Sequence, residues 1–477
     1  MAPVLLAPEI FQRIIFFLTH DSRPGFEFHP PVFWNRRPDA HQYASVSRFW
    51  QDEIERETFA YLHLDLHRLS QLNSNVTARR RAYVRNIRLH IKLPEPGPWR
   101  SRETDDEKLR NNQAFQAVLE AFLQSLSQWD AAEVHRDGIE LTFYVPMPPE
   151  DPPIELHGTG RISLGHWEPR YRKSVLELTD PERIARLPSA VAITKLGMSE
   201  PSYRQRNLSV VAICALLAKL PATRAVLLEW WKTLTFASIR NDIADALSQI
   251  GHPIDEFNLC DSHYDIANQT LPSAGTEVLR EGDEDRLSKS LHVLSQRVKD
   301  FGIRMIPVND EIFFPRAIPE GLVEPRWDRL VDFILHYPPF DPCGELLFLP
   351  DPYRDGSSSE SVSSVDSDLP SLSTEASSPT LDIATPAIQR FYLSAARAAL
   401  QMPVLRQMDL VAELGYGRYW HAFRYFIQGS SATATWTSSS GFVPEDEVLE
   451  HWHKVPKKTL QSELNVVYSG DRNALYM

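Results

Sequence analysis

The chain has little of what catalytic, exported or membrane-spanning proteins need. Its 477 residues hold 3 cysteines, Cys214, Cys260 and Cys343, which are odd in number and widely spaced. That excludes a disulfide framework and a paired-cysteine zinc site, and fits reduced thiols in the cytoplasm or nucleus. H-E-x-x-H, C-x-x-C and EF-hand patterns are absent. His451-Trp-His453 comes nearest to a metal site, but residues two apart lie on different sides of a helix, so no metal or cofactor is expected. Gly158-Thr-Gly160 and Gly415-Tyr-Gly417 lack the spacing that cradles phosphate, and Gly160-Arg-Ile-Ser163-Leu-Gly165 misses the nucleophile elbow by one position. A site assembled from distant residues is the enzyme reading left by these absences. Basic surplus is missing too: 50 Lys and Arg stand against 63 Asp and Glu, a net charge of -13, which disfavours nucleic acid. The apolar run from Leu208 to Ala218 is about eleven residues, short of the ~20 of a membrane span, and Met1 to Ala7 has no basic export signal.

What is present is an ordinary folding composition, 43% hydrophobic and 24% charged, over a length that implies two or three domains. Proline clusters at Pro24 to Pro38, Pro94 to Asp106, Pro146 to Pro153 and Pro350 to Pro386 mark joints, because proline removes a backbone donor. The last joint includes the polar, acidic, serine-rich run from Gly356 to Asp368, which buries too little apolar surface to fold and is expected to be a disordered loop over 350–386.

Periodicity supplies the elements. Ile10, Phe11, Ile14, Ile15 and Leu18 after Pro8 write one helix; Tyr43, Val46, Trp50 and Ile54 write a second. Alternation then predicts strands at Leu62 to Leu66, Ile87 to Leu93 and Ile139 to Val145. Strands at 190–196, 225–230, 254–260, 302–306 and 407–412 are separated by helical stretches at 206–220, 236–250, 285–299 and 386–402. The fold class is therefore mixed α/β. Its strand-helix spacing is that of an irregular leucine-rich-repeat-like arc, although the consensus asparagine is missing, and an open α/β sheet is the competing architecture.

The first 60 residues resemble an F-box, on Ala7-Pro8-Glu9, Ile14 and Leu18, and Val46-Ser47-Arg48-Phe49-Trp50. The continuation to Phe59, the run Arg79 to Ile91 and Gly441-Phe-Val-Pro444 are similar to fungal F-box-like proteins. Ala7 departs from the family's leucine, and residues 21–40 are an insertion between the two helices. The resemblance implies a docking module at 1–60, with Pro8, Ile10, Ile14, Leu18, Val46 and Trp50 contacting the Skp-type linker of a cullin ubiquitin ligase. It implies recognition of a protein substrate by 61–349 and 387–477, without membrane or nucleic acid. The alternative is an α/β repeat scaffold that engages no ligase and uses the first helices as an end cap. The cluster Arg79, Arg80, Arg81, Arg85 and Arg88 is either a contact for an acidic partner or a solvated face.

Overall fold

The protein is described from a computed structural model over residues 40–95, 103–146, 174–198, 206–230, 237–261, 279–280, 282–314, 324–350, 381–414, 419–438 and 441–470. The chain divides into two compact units, Met1–Arg224 and Ala225–Met477. The sequence joints near 60, 350 and 386 mark changes of composition, which need not coincide with compactness in space.

In the first unit a 3-10 turn at Ala40–Ser45 precedes helix α1, Arg48–Phe59. Ser47 caps α1 by accepting a hydrogen bond from the Trp50 amide, which satisfies one of the helix's open donors. Strand β1 (Tyr61–Leu64) follows, then helices α2 (Leu66–Asn75) and α3 (Ala78–Arg81) and strand β2 (Asn86–His90). Leu66 thus opens a helix instead of ending a strand. Asp65 explains this: its carboxylate accepts from the Arg68 amide and forms an N-cap.

Helix α4 (Asp105–Leu126) then crosses to strand β3 (Ile139–Tyr144). Its capping box pairs Thr104 with Glu107, and Phe115, Leu119, Phe122, Leu123 and Leu126 form a fully buried stripe. Further on come β4 (Val175–Leu176), α5 (Pro181–Arg186), β5 (Ile193–Met198), β6 (Asn207–Leu208) and α6 (Val210–Leu217). β1, β2, β3 and β5 pair in that order, all parallel. Arg206 and Glu103, both buried, join across 3.1 Å, with Ser174 bonded to each.

The second unit continues the strand-helix alternation with β7 (Ala225–Trp230), α7 (Ala237–Ser248), β8 (Glu256–Asp261), α8 (Arg286–Ser295), β9 (Asp300–Arg304) and β10 (Asp332–Tyr337). A small antiparallel pair, β11 (Phe348–Pro350) and β12 (Leu381–Ala384), precedes α9 (Pro386–Ala399). Both flanks of the expected loop at 350–386 are therefore structured, while its residues 351–380 lie outside the described residues. Strands β13 (Gln407–Leu414), β14 (Tyr419–Gln428) and β15 (Ser431–Ser438), helix α10 (Asp446–Thr459) and strand β16 (Leu464–Ser469) complete the unit.

Strands β7, β8, β9, β10 and β13 are parallel neighbours, β14 reverses direction against β13, β15 reverses again, and β16 runs parallel to β15. The core here is aromatic: Tyr392, Phe423, Trp436 and Trp452 are all buried. Among them sits His421, with Phe442 edge-on at 4.6 Å between centroids and its Nε2 without a hydrogen-bond partner. Burial pushes the His421 imidazole down to about 3, so it is neutral in the folded protein. The fold is mixed α/β, built on a large, mostly parallel sheet.

Candidate partner-binding surface

Helix α1 is fixed to the first unit by charge and by apolar contact. Tyr43, Ala44 and Trp50 pack around Ile54, and the Tyr43 and Trp50 rings lie 6.5 Å apart. Next to Ile54, the buried Glu55 accepts hydrogen bonds from Arg80 at 2.7 Å, from Arg79, and from Gln51 at 3.0 Å. Arg80's hydrogen bond is the main reason its carboxyl is lowered to about 2; burial opposes this, while Arg79 and Gln51 add to it. Arg79 also reaches Asp52 at 3.0 Å, and Arg81 pairs with Glu133 at 2.6 Å over the Trp129 ring. Arg79, Arg80 and Arg81 are therefore tied internally by ion pairs, although Arg79 keeps its side chain 53% exposed. Their acidic partners lie 24 to 52 residues away, beyond any local pattern.

At the start of α1 two large apolar side chains are exposed, Val46 at 61% and Phe49 at 56%. Of the residues expected to dock, Val46 is one of these two, whereas Trp50 is half-buried within its own module. Phe49 stands three residues after Val46 and Trp50 four, both helical spacings, so periodicity alone does not separate the exposed ring from the half-buried one. Pro8, Ile10, Ile14 and Leu18 lie outside the described residues, as does the 21–40 insertion apart from Ala40.

A second surface comes from the strands. On β2 and β3, Ile87, Leu89, Ile139, Leu141 and Phe143 are buried, while the interleaved Asn86, Arg88, His90, Glu140, Thr142 and Tyr144 are only partly covered. Parallel sheets covered by helices on both faces read as continuous apolar runs, whereas alternation marks one apolar and one polar face. Register lines the polar residues into rows: Asn86, Glu140 and Lys195; His63, Arg88, Thr142 and Gly197; His90 and Tyr144. The Arg88 guanidinium lies 4.6 Å from the Tyr144 ring centre, and His90 packs on the same ring at 5.1 Å. Burial lowers the proton affinity of both Arg88 and His90.

At the amino-terminal edge of these rows an open groove of about 370 Å³ is lined by Arg85, His135, Arg136, Glu140, Thr194 and Lys195, among others. Its floor needs glycine. Gly138 has φ +73°, and a Cβ there would stand 2.0 Å from Thr194 Cγ2. Thr194 Oγ1 donates to the Asp137 carbonyl at 2.9 Å and holds this turn against β5.

The same alternation recurs in the second unit. Phe257, Phe301 and Phe333 are buried and stack in sequence, and Phe313 links Phe333 to Phe391 of α9, which marks the helix side. The other side carries Glu256, Asp300 and Asp332 in one row and Asn258, Gly302, Ile334 and Asp409 in the next. Asn258 lies across Gly302, where a Cβ would be 2.0 Å from its Oδ1. Burial, and then the adjacent Asp300 carboxylate, raise the proton affinity of Asp332. Asp409 is held by Arg424 at 3.0 Å. No group of three or more metal-ligating side chains occurs among the described residues, and no described helix is long and apolar enough to cross a membrane.

Residues 361–474 match the model of a family of unknown function (DUF6546). That segment includes α9, the antiparallel strands β14 and β15, and the aromatic core around His421. No curated protein matches the chain.

Proposed function

We propose that this protein is a non-catalytic adaptor of the cytoplasm or nucleus, which binds a protein substrate on the polar side of its strands. In this reading the N-terminal module docks on the Skp-type linker of a cullin ubiquitin ligase. The observation that carries recognition is the alternating polarity of the parallel strands: polar side chains arranged in register and only partly covered among the described residues form a recognition surface. The exposed Val46 and Phe49 beside a fixed helix support docking, together with the F-box resemblance of Val46-Ser47-Arg48-Phe49-Trp50.

The test is co-expression of the chain with a fungal Skp-type linker, purified by a tag on the linker. It is repeated with Pro8→Ala, Ile14→Asp and Trp50→Ala combined, and separately with Phe49→Asp. Retention of the intact chain and loss of both variants is the expected outcome. The second reading, a repeat scaffold that engages no ligase, is favoured by the Glu55 clamp, which makes α1 a fixed cap of the first unit. A folded chain that never co-purifies with the linker supports that scaffold.

A further inference from the structure

The groove at the amino-terminal edge of the first unit's polar rows differs from the arginine clamp because two of its cations, Arg85 and Lys195, are not used internally. Among the described residues Arg85 and Lys195 form no ion pair, although Glu140 is the register neighbour of Lys195. The Glu140 carboxylate lies over Gly197 instead, with Oε1 3.5 Å from where a glycine Cβ would be built. Asp137 is engaged by its neighbours, 3.6 Å from His135 and 3.7 Å from Arg136. Arg85 and Lys195 therefore remain as open positive charges flanking the groove, on a chain whose net charge is -13.

The backbone around them is not adjustable. Gly138 admits no side chain, Thr194 ties the turn to β5, and the Glu140 amide donates to the Arg85 carbonyl at 2.9 Å. Two unpaired cations carried on a held backbone beside a groove favour a run of carboxylates. The groove is an open depression and not an enclosed cavity, which suits a peptide segment better than a buried small molecule.

We propose that this groove binds an acidic peptide segment of a partner protein, with Arg85 and Lys195 as the residues that select its charge. The proposal rests on the recognition role given above to the polar rows, and it names the chemistry of what they take. The full chain is titrated against fluorescein-labelled octaglutamate, a glycine-serine peptide of equal length and a short single-stranded DNA, with fluorescence anisotropy as the readout. Octaglutamate is expected to bind tightest, more weakly as salt is raised, and roughly tenfold or more weakly in the Arg85→Glu, Lys195→Glu double variant.

Arg110→Glu, an exposed charge reversal on α4, is expected to change nothing. The milder pair Arg85→Gln and Lys195→Gln gives the same answer if charge reversal disturbs folding, which a melting curve reports. Equal binding of octaglutamate and the neutral peptide overturns the proposal, as does an affinity indifferent to both variants or a preference for the DNA. Linker capture is measured separately: its loss with octaglutamate binding intact removes the ligase reading and leaves the groove's assignment standing.

Discussion

Replacing Glu55 by glutamine keeps the shape of the clamp and removes its charge. The drop of the Glu55 carboxyl from 4.5 to about 2 corresponds to roughly 3–4 kcal/mol as a ceiling, at ~1.4 kcal/mol per pH unit. Arg79 is half in water, with its side chain 53% exposed, so screening brings the expected cost of Glu55→Gln to about 1–2 kcal/mol. The folded-state value lies below the unfolded one. The stabilisation is therefore complete above about pH 4.5 and disappears as pH falls through about 2.

The assay is hydrogen exchange at neutral pH, followed by mass spectrometry on peptides spanning 48–59. The open population of α1 is expected to rise roughly 5- to 30-fold in the variant. A companion urea titration should show the gap between wild type and variant closing as pH is lowered from 4.5 towards 2. Unchanged protection of α1 in Glu55→Gln would refute the claim that this carboxylate fixes the helix.

Other perturbations test other parts of the fold. His421 is neutral when buried but binds a proton when unfolded, so stability should fall with pH from about 6.5 down to about 3, and His421→Phe should flatten that slope in pH-dependent melting. Gly138→Ala should cost about 2 kcal/mol or more, because φ is positive and Thr194 occupies the space. Gly251→Ala, with nothing within 4 Å of the new methyl, should be near neutral in the same denaturation series. Glu103→Gln strands the charge of the buried Arg206 and should cost roughly 3–5 kcal/mol, read as a lowered urea midpoint of the first unit.

The elements that could be read from sequence were those whose burial follows a simple period. Ala225–Trp230 occupies the predicted strand, and Pro386–Ala399 and Ala237–Ser248 fall inside the predicted helices, because apolar spacing and a leading proline act locally. Helix α4 was obscured by polar residues on its buried side. Asn112 and Gln116 face inward to bind the Glu177 amide and Thr179, so the apolar stripe is interrupted. Strand β10 was passed over because His336 and Asp332 dilute its pattern, although Phe333, Leu335 and Tyr337 do alternate.

At the candidate surface, Val46 and Trp50 were legible as a helical pair, but which of them faces outward depends on packing with Tyr43 and Ile54. Of the groove only Arg85 was legible, within the arginine cluster read as a contact for an acidic partner or a solvated face. Arg85, His135 and Lys195 meet only through the parallel register of three strands far apart in sequence.

The ion-paired attachment of α1 has a consequence for reach. A module on a flexible tether samples a volume, and the encounter rate of its cargo with anything held elsewhere falls as the tether lengthens. Between Phe59 and Tyr61 there is a single residue, and Glu55 is locked to Arg79 and Arg80. Under the proposed docking role, a partner held at Val46 and Phe49 would be carried at a set displacement and angle from the rows on β2 and β3. Distance between the two proposed binding surfaces is then a built dimension of the first unit, and a flexible insert at Ala60 would turn that dimension into a distribution.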